Sequence, residues 1–264
     1  MSHTEGLNHN EIWATWSGGV DSTGVIANLL AAGKSVHALN VRIYDELYPK
    51  QAEREHEARD ALTPTLERLA VTNGGGFECS TVDGSFLWAF SPDGVEIPRR
   101  NKYIVDHLIT THMLRSPGAY QLAVGTYIGV DTALVRHVPF IDQDSRPMAA
   151  YLFYEWGKRY RLWTLADFGE SRAKVDRLRI GWQVIGDAMN ETTNCLNDTS
   201  IHCGECYKCI ERSVAFDLLA EENQSVIDRT EYRTNPRAQP HYETYVKQQR
   251  GEALDPVEHS SFSK

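Results

Sequence analysis

The chain has 264 residues, 41% hydrophobic and 24% charged, which suffices for a large globular core without disulfide staples and argues against disorder or a fibrous repeat. Its formal net charge of −9 comes with scattered rather than clustered lysines and arginines, which disfavours DNA or tRNA as the main ligand. No run approaches the ~18 consecutive apolar residues of a membrane helix. The opening "MSHTEGLNHNE" lacks both the basic start and the apolar core of a secretory signal, so a soluble cytoplasmic protein is expected.

The apolar "EIWATW" (11–16) reads as a buried strand, and "DSTGVIANLLAAG" (21–33) as a helix with Val25, Ile26, Leu29 and Leu30 at helical spacing and Gly33 as its C-cap. "SVHALNVRIY" (35–44) reads as a second strand, and the charged run at 50–70 as an exposed helix broken near Pro64. "FECSTVD" (77–83) makes a third strand, with Cys79 as a small core residue. A helix over 101–114 leads to the strand "AYQLAVGTY" (119–127), which ends at Gly125. Residues 146–160 read as helix, "RLWTL" (161–165) as a short strand, and "SRAKVDRLR" (171–179) opens another helix with Ser171 as its N-cap. Alternating strands and helices from 11 to about 190 imply right-handed βαβ units, a doubly wound parallel sheet and helices on both faces. Beyond residue 222 the sequence loses periodicity and gains polar residues and prolines, as expected of an extension lying on the domain with a loose end.

Two motifs carry chemistry. The string "WSGGVDST", Trp16 to Thr23, stands where the first strand gives way to the first helix, at the carboxyl edge where doubly wound sheets bind ligands. Gly18 and Gly19 let the backbone turn its N–H groups toward an anion, and the positive end of the following helix favours negative charge. The hydroxyls of Ser17, Ser22 and Thr23 can donate to phosphate oxygens. Asp21 cannot, and is expected to hold the loop's own N–H groups or help hold a magnesium ion. The string has neither the Walker lysine nor the spacing of the dinucleotide loop.

The second motif is "NCLNDTSIHCGECYKCIERSVAF" (194–216), which sets Cys195 ahead of Cys203, Cys206 and Cys209 in C-x-x-C-x-x-C spacing. Four thiolates suit a tetrahedral, structural zinc with no position left for water, and Gly204 eases the tight knuckle. Spacing alone also admits an iron–sulfur cluster. His202 is a spare ligand that four cysteines make unnecessary.

The Ser-Gly-Gly-Val-Asp-Ser-Thr string resembles the pyrophosphate loop of the PP-loop ATP pyrophosphatases, which cleave ATP between its α and β phosphates to adenylate a carbonyl oxygen. Joined to the cysteine cluster, it resembles the QueC family, the 7-cyano-7-deazaguanine synthases, over residues 11–220. "EIPRRN" (96–101), "AVGTY" (123–127), "DSR" (144–146), the helix-start Lys174 and "CGECYKCIERSVAF" extend the likeness.

The resemblance implies a PP-loop ATP-binding α/β domain over residues 1–190, a four-cysteine zinc-binding and helical segment over 191–222 and a C-terminal extension over 223–264. It implies pyrophosphate held by Trp16, Ser17, Gly18, Gly19, Val20, Asp21, Ser22 and Thr23 with Gly125 nearby, and phosphate or carboxylate contacts from Arg100, Arg146 and Lys174. The cofactors implied are ATP, Mg2+ and a structural Zn2+. The reaction implied is ATP-dependent amidation of 7-carboxy-7-deazaguanine with ammonia, then dehydration to the nitrile, in a homodimer.

The chain departs from the family pattern in "RIYDELYPKQ", which has no glycine, at Leu196 after the first zinc cysteine, and at Ser145. These departures leave open an enzyme that stops at the amide, or one that conjugates the activated deazaguanine to a protein amine in antiviral defence. A tRNA-modifying adenylating enzyme and a non-catalytic zinc-stabilised protein-binding module also stay open.

Overall fold

The computed structural model describes residues 11–42, 50–83, 121–123, 161–163, 165–169, 173–195, 197 and 201–252. Among these residues five parallel strands form one sheet: β1 (Glu11–Thr15), β2 (Ser35–Arg42), β3 (Phe77–Asp83), β4 (Gln121–Ala123) and β5 (Arg161–Trp163), in the order β3-β2-β1-β4-β5. The order reverses at β1, with β2 on one side and β4 on the other. The loop that leaves β1 therefore stands at the topological switch point, where open α/β sheets place their ligands.

Strand alternation sorts β1 cleanly. Ile12 and Ala14 face the core with Val36 and Ala38 of β2, while Trp13 and His37, paired in register, stack at 4.0 Å between centroids. Helix α1 (Val20–Ala31) covers the core side with Val25, Ile26, Leu29 and Leu30. It closes in a Schellman motif: Gly33, at φ +71°, donates its N–H to Leu30 O at 3.0 Å, and Lys34 donates to Leu29 O at 3.0 Å.

Helix α2 (Gln51–Thr72) runs unbroken through Pro64, against the break expected there. Pro64 and Asp60 both lie on the exposed side, so the carbonyl that loses its amide donor can turn to water. Cys79 is likewise not a core residue; it is exposed on β3, the last strand of the described sheet. The helices expected at 101–114 and 146–160 lie outside the described residues.

Helix α3 (Lys174–Ile185) begins after Ala173, whose N–H donates to Asp176 Oδ2 at 3.1 Å; the expected cap, Ser171, lies outside the described residues. α3 packs closely on α1. Gly24 and Gly181 oppose each other at the crossing, with Gly181 Cα 3.7 Å from where a Gly24 Cβ would stand. Asn28 bridges the two helices, donating to Gly24 O at 2.9 Å and Ile180 O at 3.1 Å.

Helix α4 (Tyr207–Glu222) and helix α5 (Tyr242–Gln249) complete the described structure. A second apolar cluster joins Val20 of α1, Leu178 of α3, Phe216 of α4 and Tyr242 and Tyr245 of α5. Part of the expected C-terminal extension is thus a packed helix. Among the described residues no helix is long and apolar enough to cross a membrane.

Candidate functional site: the glycine loop and the cysteine cluster

Trp16 anchors the loop. Its backbone N–H continues the β1–β2 pairing by donating to Leu39 O at 2.9 Å, and its carbonyl accepts from Asn40 Nδ2 at 3.1 Å. Its buried indole donates to Thr23 Oγ1 at 3.0 Å. Thr23 is fully buried, so its hydroxyl braces the loop from inside instead of lying open to a phosphate. Ser17 is exposed, with its Oγ 3.4 Å from both Ser22 Oγ and the Gly19 N–H.

Gly18, at φ +74°, adopts a conformation that disfavours side chains. A Cβ there would also stand 3.1 Å from Ala58 Cβ and Glu55 O of α2. Gly19 caps α1, and the Thr23 N–H returns to its carbonyl at 3.0 Å. Helix geometry leaves the first-turn N–H groups of α1 without intrahelical partners, available to an anion.

Asp21 sits in that first turn. Oδ1 accepts from Lys174 Nζ at 2.8 Å and Oδ2 from Arg177 Nη1 at 3.3 Å. Burial works to raise the Asp21 carboxyl, but Lys174 and Arg177 outweigh it, and the group titrates well below the usual carboxylate range. The expectation that Asp21 holds the loop's own N–H groups is corrected. Both oxygens face cations on α3, because the glycine crossing brings α3 against the start of α1. Sequence reasoning missed Arg177, although it stands three residues after Lys174, a spacing that places both on one helix face.

A strap from 189 to 195 ties the loop to the cysteine cluster. Thr193 N–H donates to Gly18 O at 3.0 Å, and Asn194 Oδ1 lies 3.7 Å from where a Gly19 Cβ would stand. Arg212 of α4, 1% exposed, holds the strap through Thr192 Oγ1 at 2.6 Å, Asn190 O at 3.1 Å and Met189 O at 3.3 Å, and also donates to Thr230 Oγ1 at 3.0 Å. This buried arginine is engaged at all three guanidinium nitrogens and acts as a brace, a role that its surroundings reveal and its sequence does not.

Cys195, Cys203, Cys206 and Cys209 converge with their sulfurs all within 4.8 Å of one another, a group that could hold a metal ion. The Sγ atoms of Cys203 and Cys209 are 3.8 Å apart, and those of Cys206 and Cys209 3.5 Å. Backbone N–H groups point at the sulfurs: Cys203 N to Cys195 Sγ at 3.4 Å, Glu205 N to Cys203 Sγ at 3.4 Å and Cys206 N to Cys203 Sγ at 3.3 Å. Gly204 makes the knuckle at φ +79°, so close to Thr234 that a Cβ would lie 1.6 Å from the Thr234 carbonyl oxygen. His202 stands behind the cluster, Nδ1 3.8 Å from Cys209 Sγ, and burial holds it down to about 4, hence neutral near pH 7.

The structure thus brings Trp16 to Thr23 together with Lys174, and the four cysteines with one another. Arg100, Arg146 and Gly125 lie outside the described residues.

Known proteins bear on this geometry. No family model matches the chain. It is similar to a 7-cyano-7-deazaguanine synthase of Hahella chejuensis, with 26% identity over 221 residues that span 79% of this chain and 89% of that protein. Among solved structures, the U34-tRNA thiolase NcsA from Methanococcus maripaludis with its [4Fe-4S] cluster is 16% identical and covers 78% of this chain and 81% of its own, at a TM-score of 0.31. The likeness to 7-cyano-7-deazaguanine synthases suspected from the glycine loop and the cysteine spacing is therefore supported by a curated relative along most of both chains.

Proposed function

We propose that this chain is an ATP-dependent carbon–nitrogen ligase acting on 7-carboxy-7-deazaguanine. The observation that carries the reading is the Ser-Gly-Gly-Val-Asp-Ser-Thr loop at the switch point, opening α1 and flanked by the cations of α3. The name of the curated relative, a 7-cyano-7-deazaguanine synthase, supports a 7-deazaguanine as the base acted on.

In this reading the carboxylate oxygen attacks the α-phosphorus of ATP, giving an acyl-adenylate and pyrophosphate. Ammonia displaces AMP, with loss of a proton, and leaves the amide. The amide oxygen attacks the α-phosphorus of a second ATP and releases pyrophosphate; the amide nitrogen then gives up its two protons and AMP departs with that oxygen to give the nitrile. Neither step needs a side-chain nucleophile. The demand on the protein is to hold two anions together and receive a pyrophosphate, which is work for oriented N–H groups and fixed cations. The Gly18–Gly19 turn and the start of α1 receive the pyrophosphate. Lys174 and Arg177, both bonded to Asp21, set fixed cations beside it. Magnesium enters with ATP in this account, because cations already engage both oxygens of Asp21.

The cysteine group is read as the site of a structural zinc. A zinc–sulfur bond of about 2.3 Å sets tetrahedral sulfurs about 3.8 Å apart; separations of 3.5 and 3.8 Å, in a group whose sulfurs all lie within 4.8 Å of one another, suit that spacing. A four-iron cube holds its thiolates farther apart. Zinc would fix the knuckle, the start of α4 and, through Arg212 and the strap, the position of Gly18.

The test is a mass-spectrometric assay with ATP, magnesium, ammonium and 7-carboxy-7-deazaguanine. AMP with the nitrile supports the whole reading. AMP with only the amide supports an enzyme that stops early, and no AMP overturns the proposal.

A further inference from the structure

On the other side of the loop from Lys174, α2 buries two arginines that the reaction above does not use. Arg54 is 7% exposed and Arg59 3%. Nε, Nη1 and Nη2 of Arg54 and Nη1 of Arg59 are buried without a hydrogen-bond partner among the described residues. A guanidinium cannot shed its proton at any ordinary pH, so an unmatched buried one is among the costliest groups a fold can carry.

The position of these side chains says what could match them. Ala58, one turn beyond Arg54 on α2, and Arg59 both abut Gly18: Ala58 Cβ lies 3.1 Å and Arg59 Cγ 3.4 Å from where a Gly18 Cβ would stand. Arg54 and Ala58, four residues apart, share one face of α2, and Glu55 O, in the same turn as Arg54, lies 3.1 Å from where a Gly18 Cβ would stand. All three guanidinium nitrogens of Arg54 lack a hydrogen-bond partner among the described residues, against one of Arg59, so Arg54 is the less matched of the two.

We propose that Arg54, seconded by Arg59, binds phosphate oxygens of the nucleotide from the α2 side of the loop. This rests on the reading that the loop takes ATP. One carboxylate would be matched by one guanidinium. Here Lys174 and Arg177 approach the start of α1 from α3, while Arg59 approaches the loop from α2, the helix that also carries Arg54. Cations on two sides of a glycine turn suit an extended polyanion, and the planar fork of arginine suits phosphate oxygens in particular.

The experiment uses the full chain and its R54M and R54K variants, with thermal melting and calorimetric titration of inorganic pyrophosphate and, separately, of 7-carboxy-7-deazaguanine. R54M removes an unmatched charge while keeping the bulk. It should melt at or above the parent temperature without ligand, and should lose at least about tenfold in pyrophosphate affinity, the value of a charge-assisted contact. R54K keeps the charge without the fork and should lose several-fold.

A lower ligand-free melt of R54M, or its failure to fold, would mean that Arg54 is paired within the chain, and the proposal falls. Unchanged pyrophosphate affinity in the folded R54K also overturns it. So does a loss confined to 7-carboxy-7-deazaguanine, which would assign the arginine to the substrate acid. The absence of AMP in the ligase assay would sink the enzyme reading and leave the pyrophosphate result standing, so the two claims fail separately.

Discussion

Replacing Asp21 by asparagine probes the best-defined electrostatic arrangement in the site. The Lys174 side chain is 5% exposed and Asp21 25%, so the substitution strands a buried ammonium with Arg177 close by. Removing one partner of a buried ion pair costs about 3–5 kcal/mol, and the exposure of Asp21 points to the lower end, about 3 kcal/mol. For chains of this size that corresponds to a fall of roughly 6–12 °C in melting temperature.

The pH dependence follows from the direction of the shift. The folded carboxyl titrates below its unfolded value of about 3.9, so the pair's contribution is complete above that pH and is lost as pH falls through the folded value. The gap between parent and D21N should therefore stay constant from about pH 8 to pH 5 and narrow below about pH 4. Calorimetric melts across that range are the assay, with D21N/K174M as the control that removes the stranded charge and should recover most of the loss. A D21N melt within about 2 °C of the parent at pH 7, or a double variant no better than the single, would refute the reasoning.

Two further outcomes follow from the cysteine knuckle. Cys206→Ser should lower both metal content and melting temperature before it touches ligase chemistry, because it opens the ligand shell at the start of α4; metal analysis with a melt checks this, and full metal content with an unchanged melt would contradict it. Gly204→Ala should cost more than about 4 kcal/mol, since a Cβ would lie 1.6 Å from Thr234 O on a backbone at φ +79°. Its melt should fall further than that of Cys206→Ser, and parity with the parent would contradict the close packing of Gly204 on Thr234.

The first strand, the loop and α1 were legible in the sequence because every cue there is local: an apolar run, a glycine turn, then a 3.6-residue stripe closed by Gly33. Pro64 misled because a proline rule ignores which side of the helix faces water. Cys79 misled because residue size was taken for burial on a strand that ends the described sheet. Helix α5 was hidden because its inward face is partly polar. Gln249, 9% exposed, accepts from Val175 N–H at 2.9 Å and donates to Glu211 O at 3.0 Å, so no apolar stripe announces it. In the site, residue types at fixed spacing gave the loop and the cysteines. The partners of Asp21 lie 153 and 156 positions away, and only the packing of α3 on α1 reveals them.

The central claim, adenylation of a carboxylate, is tested most directly by oxygen transfer. 7-Carboxy-7-deazaguanine labelled with 18O in both carboxylate oxygens is supplied with unlabelled ATP, magnesium and ammonium, and the products are weighed. The account predicts that one labelled oxygen passes to AMP in the amide-forming step and the other in the dehydration, leaving a nitrile without oxygen and pyrophosphate without label. Label in inorganic phosphate with ADP as the nucleotide product, or AMP free of label, would contradict it.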